Sequence, residues 1–116
     1  MTTYRELTTI NALEEILQAS YQLPVLFFKH SNTCLISERA FSEFEKYLQT
    51  AASAQPQHAL IVVQKAGAVS DKLAERVGVT HETPQAILVR NGQAVWHESH
   101  FALKSAAIAQ AVSAHA

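Results

Sequence analysis

Apolar residues recur at helical spacing in four segments of the chain. In residues 10–20 they fall three to four positions apart, which predicts an amphipathic helix. The same spacing returns at 40–48 and at 69–77, where Gly78 suits the helix end. An alanine-rich helix is predicted for the tail, from about Leu103 to Ser113.

Short apolar runs between these helices predict strands. The runs VLFF (25–28) and LIVV (60–63) are continuous, as in strands buried on both faces. A third strand is predicted at 86–90, and the following Asn91-Gly92 is a strong hairpin signal. Residues 93–98 are therefore its antiparallel partner.

The order of these elements predicts an α/β fold. A βαβ unit is followed by a ββα unit, with an extra helix before both, so we expect a mixed central sheet flanked by helices. The short segment 4–7 could add an edge strand. Residues 50–58 (TAASAQPQH) are predicted as a loop that contains His58. We expect one domain spanning residues 1–116.

Charge and composition exclude several classes of function. Nine basic and ten acidic residues give a net charge of −1, with no basic stripe for nucleic acid and no charge run for a membrane surface. No apolar run approaches the roughly 18 residues of a membrane span. The N-terminus has no signal-peptide pattern, and we expect a cytoplasmic protein. A single cysteine also favours a reducing compartment, since it permits intermolecular disulfides only.

That cysteine, Cys34, is predicted to lie where the first long strand gives way to a helix. The unpaired N–H groups and positive dipole end of a helix stabilise a thiolate, which is the reactive form. Lys29 and His30 are near in sequence and could add positive potential. Ser37, three residues on, could hydrogen-bond the thiolate but cannot close a disulfide, so a second external thiol must release any mixed disulfide. The alternative is an inert, buried thiol.

Thr83-Pro84 precedes the third strand and is open to two interpretations. Proline is tolerated as the first residue of a strand, which requires no function. The functional alternative is a cis-proline loop beside Cys34, in which the Thr83 backbone pairs with an extended substrate segment.

The six histidines do not predict a metal site. They are scattered, and none forms a His-x-x-x-His pair or lies in a Cys-x-x-Cys frame. We therefore expect no bound metal.

The segment KHSNTCLIS (29–37) resembles the Lys-His-Ser-x-x-Cys-Pro-Ile-Ser active-site segment of monothiol bacilliredoxins, thioredoxin-like proteins of the bacillithiol system. The resemblance continues through EFEKY (43–47), GVTHETPQAILVRNGQAVWHESH (78–100) and the final helix. It implies a thioredoxin fold, a cis-proline at Pro84 and disulfide exchange at Cys34. It also implies clients that carry a mixed disulfide with bacillithiol, or a similar small thiol, as co-substrate and no other cofactor.

Residue roles follow from the same resemblance. Ser37 occupies the resolving position and Thr83 the substrate-pairing position. Thr33, Lys29 and His30 join Ser37 as candidates for supporting the thiolate. Leu35 stands where the family has proline, which leaves the first helical turn less pre-organised and places an apolar side chain beside the substrate.

Two other functions are compatible with the sequence. One is a binding module that docks partners at the Thr83-Pro84 edge and uses Cys34 only structurally. The other is a redox sensor that dimerises through Cys34. We expect a monomer or a weak dimer.

Overall fold

A computed structural model describes residues 4–50 and 56–115 of the chain. The predicted order of helices and strands is confirmed, including the possible edge strand at the start. The strands are β1 (Arg5–Glu6), β2 (Val25–His30), β3 (Gln57–Val62), β4 (Gln85–Arg90) and β5 (Gln93–Ser99). The helices are α1 (Ile10–Ala19), α2 (Leu35–Thr50), α3 (Gly67–Val77) and α4 (Ser105–Ala114), and a 3-10 helix (His100–Ala102) precedes α4.

The five strands form one mixed sheet in the order β1-β3-β2-β4-β5. Strand β3 runs parallel to both β1 and β2, while β4 runs antiparallel to β2 and β5. The parallel strands β2 and β3 need the crossover helix α2 between them. The antiparallel strands β4 and β5 need only the tight turn at Asn91-Gly92. The segment predicted as a possible edge strand does pair with β3, at the edge of the sheet.

Helices cover both faces of this sheet, because the strands in its middle are apolar on both faces. Side chains alternate along β2, so Phe27 packs in a core with α1 and α3 while Phe28 packs in a second core with α2 and α4. Both phenylalanines are fully buried. Each core therefore holds two helices in a fixed position against the sheet.

The α1 helix is tied to the hairpin at the far end of β4. Thr9 caps the start of the helix by accepting the Ala12 N–H at 3.1 Å. At its other end the buried Ser20 hydroxyl accepts the Gly92 N–H at 2.9 Å. Asn91 and Gly92 have φ of 55° and 72°, the left-handed values that a two-residue hairpin of type I′ requires.

The prediction that His58 lies in a loop is wrong. His58 belongs to β3 and is buried, and its Nε2 lies 2.8 Å from the hydroxyl of Tyr47 on α2. Burial lowers the pKa of His58 to about 4, so this imidazole is neutral at physiological pH. A polar residue can occupy the strand because the Tyr47 hydroxyl satisfies its buried nitrogen. Residues 51–55 of the predicted loop lie outside the described residues.

In the part of the chain that the structure describes, no helix is long and apolar enough to cross a membrane.

Candidate active site

Four chain segments meet at one end of the sheet. Strands β2 and β3 end there side by side, with His30 opposite Val62. Strand β4 begins there, with Gln85 opposite Lys29 on one side and Ser99 on the other. Continuing that register by one residue places Pro84 beside His30. The carboxyl end of β2 thus faces the start of β4, the position at which open α/β sheets gather their sites.

Cys34 stands at this end as the residue immediately before α2. Its carbonyl oxygen accepts the N–H of Glu38 at 3.0 Å, which makes it the first acceptor of the helix. The side chain is half-buried, and the thiol is free. The sulfur is thus partly accessible at the N-terminus of a 16-residue helix, where N–H groups and the helix dipole favour a negative charge.

Ser37 connects the first turn of α2 to the end of β2. Its hydroxyl oxygen accepts the Ser31 N–H at 2.8 Å and lies 2.8 Å from Nδ1 of His30. The one hydroxyl therefore bonds to both the Ser31 backbone and the His30 ring. Ser37 is fully buried, and among the described residues no hydrogen bond joins it to the Cys34 sulfur. Direct contact with the thiolate stays a prediction.

His30 is held flat against α2. Its ring stacks on Phe41 with centroids 4.8 Å apart. Burial lowers the pKa of His30, and the opposing charge of Glu38 is the smaller influence. The neutral imidazole is therefore favoured at neutral pH, and His30 contributes a hydrogen bond to Ser37 through Nδ1 and not the positive charge that the sequence suggested.

The loop before Cys34 is held by Gln64, a residue that sequence reasoning missed. Its side-chain amide donates to the hydroxyls of Ser31 at 2.7 Å and Thr33 at 3.1 Å, and its carbonyl accepts the Asn32 N–H at 3.1 Å. Gln64 follows the end of β3, next to the end of β2. The sequence signal that could have revealed Gln64 is a polar side chain directly after a buried strand.

Lys29 lies apart from the thiol. Alternation along β2 turns its side chain to the α1/α3 face, where Nζ donates to the Ser70 carbonyl at 3.2 Å and lies 3.1 Å from His81 Nδ1. Burial lowers the pKa of Lys29 to about 8, against the opposing charge of Asp71. These contacts fix the segment that leads to Pro84, so Lys29 is placed to support the cis-proline loop and not to touch Cys34.

The Thr83–Pro84 peptide bond is cis, as the functional interpretation of this dipeptide expects. Buried Gln85 fixes the approach to it by donating to the Thr80 carbonyl at 3.0 Å. Pro84 in turn accepts the His100 N–H at 3.1 Å, which joins the loop to the end of β5. Within residues 4–50 and 56–115, neither backbone group of Thr83 has a hydrogen-bond partner. Both remain available to an external strand.

Leu35 follows Cys34 and is 78% exposed, the highest value among the exposed large apolar side chains described. It opens α2 with its side chain directed to solvent. This placement fits the prediction that it faces a substrate.

The histidines remain separate from one another. His30, His58 and His81 each bond to a different partner, namely Ser37, Tyr47 and Lys29. In the described segments no three or more His, Cys, Asp or Glu side chains are grouped as a metal site would require.

Comparison with known proteins decides the family. Residues 5–108 match the family described as monothiol bacilliredoxin BrxC. The chain belongs to the monothiol bacilliredoxin family. A solved structure described as an oxidoreductase with a thioredoxin fold is 31% identical, with a TM-score of 0.81 over 93% of this chain and 92% of that one. Together these findings show a thiol–disulfide oxidoreductase of the thioredoxin fold, as the sequence resemblance implied.

More distant structures share the fold alone. Fasciola hepatica thioredoxin is 15% identical, with a TM-score of 0.75 over 97% of this chain and 99% of its own. Malassezia sympodialis thioredoxin is 12% identical, with a TM-score of 0.79 over 99% and 92%. At such identities the common backbone carries no information about the substrate of this bacilliredoxin.

Proposed function

We propose that this bacilliredoxin removes a low-molecular-weight thiol, bacillithiol or a similar compound, from mixed disulfides on client proteins. Cys34 is the nucleophile. The observation that carries the proposal is its position: a half-buried free thiol lies immediately before a long helix, and a hydroxyl stands at the residue where a second thiol would close an internal disulfide.

The reaction has two exchange steps. The Cys34 thiolate attacks the sulfur of the small thiol in the client disulfide, so a bond forms between these two sulfurs and the client leaves as a thiolate. A second small thiolate then attacks the sulfur held on Cys34. That step releases a symmetric small-molecule disulfide and restores the Cys34 thiolate, so each step exchanges one disulfide for another.

The surrounding residues support this sequence of events. The unpaired Thr83 backbone suits strand-like pairing with the client segment that carries the disulfide. Gln64 holds the 31–33 loop, so the start of α2 keeps its orientation while the disulfide approaches. Ser37 is buried and bonded to His30, so it anchors the first turn of α2 to the end of β2.

The experiment measures release of a client thiol from a peptide that carries the small thiol as a mixed disulfide. Wild-type protein should release it, and Cys34→Ser should be inactive. Ser37→Cys should also release it but should then accumulate an internal disulfide that the wild type cannot form. Release by Cys34→Ser at the wild-type rate would refute Cys34 as the nucleophile. Capture of the peptide by both proteins, with thiol release by neither, would favour a non-catalytic binding module.

A dimerising redox sensor makes a different prediction. Oxidant would then produce a Cys34-linked dimer on non-reducing electrophoresis, in place of a protein carrying one small thiol. A quantitative yield of that dimer in the presence of excess small thiol would contradict the exchange mechanism.

A further inference from the structure

An open groove runs along α2 from its first residue, Leu35, which follows Cys34 in the chain. It is lined by Leu35, Ile36, Glu38, Arg39, Ser42 and Phe101, and has a volume of about 520 Å³. A smaller cleft of about 220 Å³ shares Arg39 and Phe101 with it and extends to Lys104, before α4. We call the two together the α2 groove. It lies outside the residues assigned to disulfide exchange above, Leu35 excepted.

The walls of the α2 groove are apolar and exposed. Leu35 and Phe101 are 78% and 68% exposed, the two highest values among the large apolar side chains described. Such side chains flanking one concave surface beside a reactive group are typical of a ligand site. The core does not explain their position, because neither residue belongs to either buried cluster.

The positive charges of the groove are not used within the described chain. Among the described residues, the Arg39 guanidinium has no hydrogen bond or ion pair, and the Lys104 ammonium has only a through-space influence on Glu43. The Glu43 carboxylate is already occupied, since it accepts the Ser105 N–H at 2.9 Å and bonds to Lys46 at 3.2 Å.

The other carboxylate of the groove, Glu38, lines the larger part but not the smaller cleft, which is lined by Arg39 and Lys104. The Glu38 carboxylate interacts electrostatically with His30 at the end of β2. The two cations of the smaller cleft, Arg39 and Lys104, are therefore free to pair with an external anion.

The length of the groove from Leu35, next to Cys34 in the chain, to Arg39 matches a small molecule. Leu35, the residue after Cys34, and Arg39 both line the groove; they are one turn apart on the same face of α2, or about 6 Å along the helix axis at ~1.5 Å per residue. An extended compound spans about 7 Å in two residue lengths. A thiol of dipeptide to tripeptide size, joined to Cys34 through sulfur, can therefore place a terminal anion at Arg39.

We propose that the α2 groove binds the anionic body of the low-molecular-weight thiol that Cys34 takes up. Arg39 and Lys104 pair with its carboxylate or phosphate groups, and Leu35 and Phe101 flank its carbon skeleton. The inference rests on the proposed function and adds to it the residues that select the small thiol by negative charge several bonds from its sulfur.

The test keeps the client constant and varies the small thiol. One peptide with a single cysteine is prepared as its mixed disulfide with glutathione, which has carboxylates, with coenzyme A, which has phosphates, and with β-mercaptoethanol, which is neutral. The second-order rate constant for transfer onto Cys34 is measured in single-turnover reactions. The variants are Arg39→Gln, the conservative Arg39→Lys, and the control Arg5→Gln, which removes the same charge at the far edge of the sheet.

We expect Arg39→Gln to slow transfer of the anionic thiols about tenfold, as the loss of a charge-assisted contact predicts, and to leave the neutral thiol within about twofold. Arg39→Lys should restore part of the loss, and Arg5→Gln should behave as the wild type. A larger effect on glutathione than on coenzyme A identifies the anion as a carboxylate, and the reverse identifies a phosphate.

Two results would overturn the inference. Equal slowing of all three thiols by Arg39→Gln would assign the groove to the client peptide, and no slowing of any would remove Arg39 from binding. Both leave exchange at Cys34 intact. Failure of the wild-type protein to exchange any of the three disulfides would instead overturn the proposed function and this inference with it.

Discussion

Replacement of Lys29 by methionine should change how stability depends on pH. Lys29 is fully buried, and burial lowers its pKa from 10.5 to about 8 in the folded protein. Between these values the unfolded chain holds a proton that the folded protein has released. Unfolding then takes up a proton, so the free energy of unfolding rises with pH in this range.

The size of the effect follows from the two pKa values. The rise is at most about 1.4 kcal/mol per pH unit, and it amounts to about 2 kcal/mol between about pH 7 and about pH 9.5. Other shifted groups contribute little in that interval: the pKa of His58 is about 4 and that of Tyr47 is about 12, both because of burial. Lys29→Met should remove the rise.

Urea denaturation of wild type and Lys29→Met at several pH values measures this difference directly. Lys65→Met is the matched control, since Lys65 is exposed and pairs with Glu6 at the surface; it should retain the wild-type slope. The slopes are compared and not the absolute stabilities, because the variant also loses the bonds to Ser70 and His81. A Lys29→Met protein that keeps the full wild-type rise would refute the assignment of Lys29 as a buried ammonium.

Two further substitutions test the site and its support. Gln64→Ala should slow exchange at Cys34 severalfold, because the 31–33 loop loses the side chain that holds it. The same change should alter the free energy of unfolding by only ~0.5 kcal/mol, because Gln64 is exposed. Unchanged exchange would contradict a positioning role. Tyr47→Phe should lower the free energy of unfolding by about 1–3 kcal/mol, because buried His58 Nε2 loses its partner. Urea denaturation measures this, and a loss no larger than that of exposed Tyr21→Phe would contradict it.

The sequence predicted the elements well where one local rule decides them. Asn91-Gly92 suits the left-handed values that the hairpin requires, and continuous apolar runs can be buried only in the middle of a sheet. Thr83-Pro84 was open to two interpretations from the residues. The family resemblance favoured the cis form, which the structure contains.

Side-chain partners across the chain could not be predicted in this way. Lys29 and His30 are neighbours in sequence, yet strand alternation sends them to opposite faces of the sheet. His58 looked like a loop residue because it is polar and follows Pro56, and only Tyr47 on another element makes its burial acceptable. Gln64 lies 31 positions from Thr33, so its clamp appears only once β2 and β3 are paired.

One part of the surface next to Cys34 could be predicted from the sequence, and the other part only from the fold. Leu35 was noticed because it departs from the proline of the family pattern. Its significance as one wall of a groove depends on Phe101, which the 3-10 helix after β5 brings to the same place. A pattern in sequence identified the first residue, and the fold identified the second.

The central claim is that Cys34 alone carries the exchange, and intact-mass spectrometry tests it most directly. The protein is isolated from its own cells after a brief oxidant exposure, with alkylation to trap free thiols. The account predicts one added small thiol, located on Cys34 and absent from Cys34→Ser, with a mass that identifies the compound. Alkylated, unmodified Cys34 in cells whose other proteins are S-thiolated would contradict it.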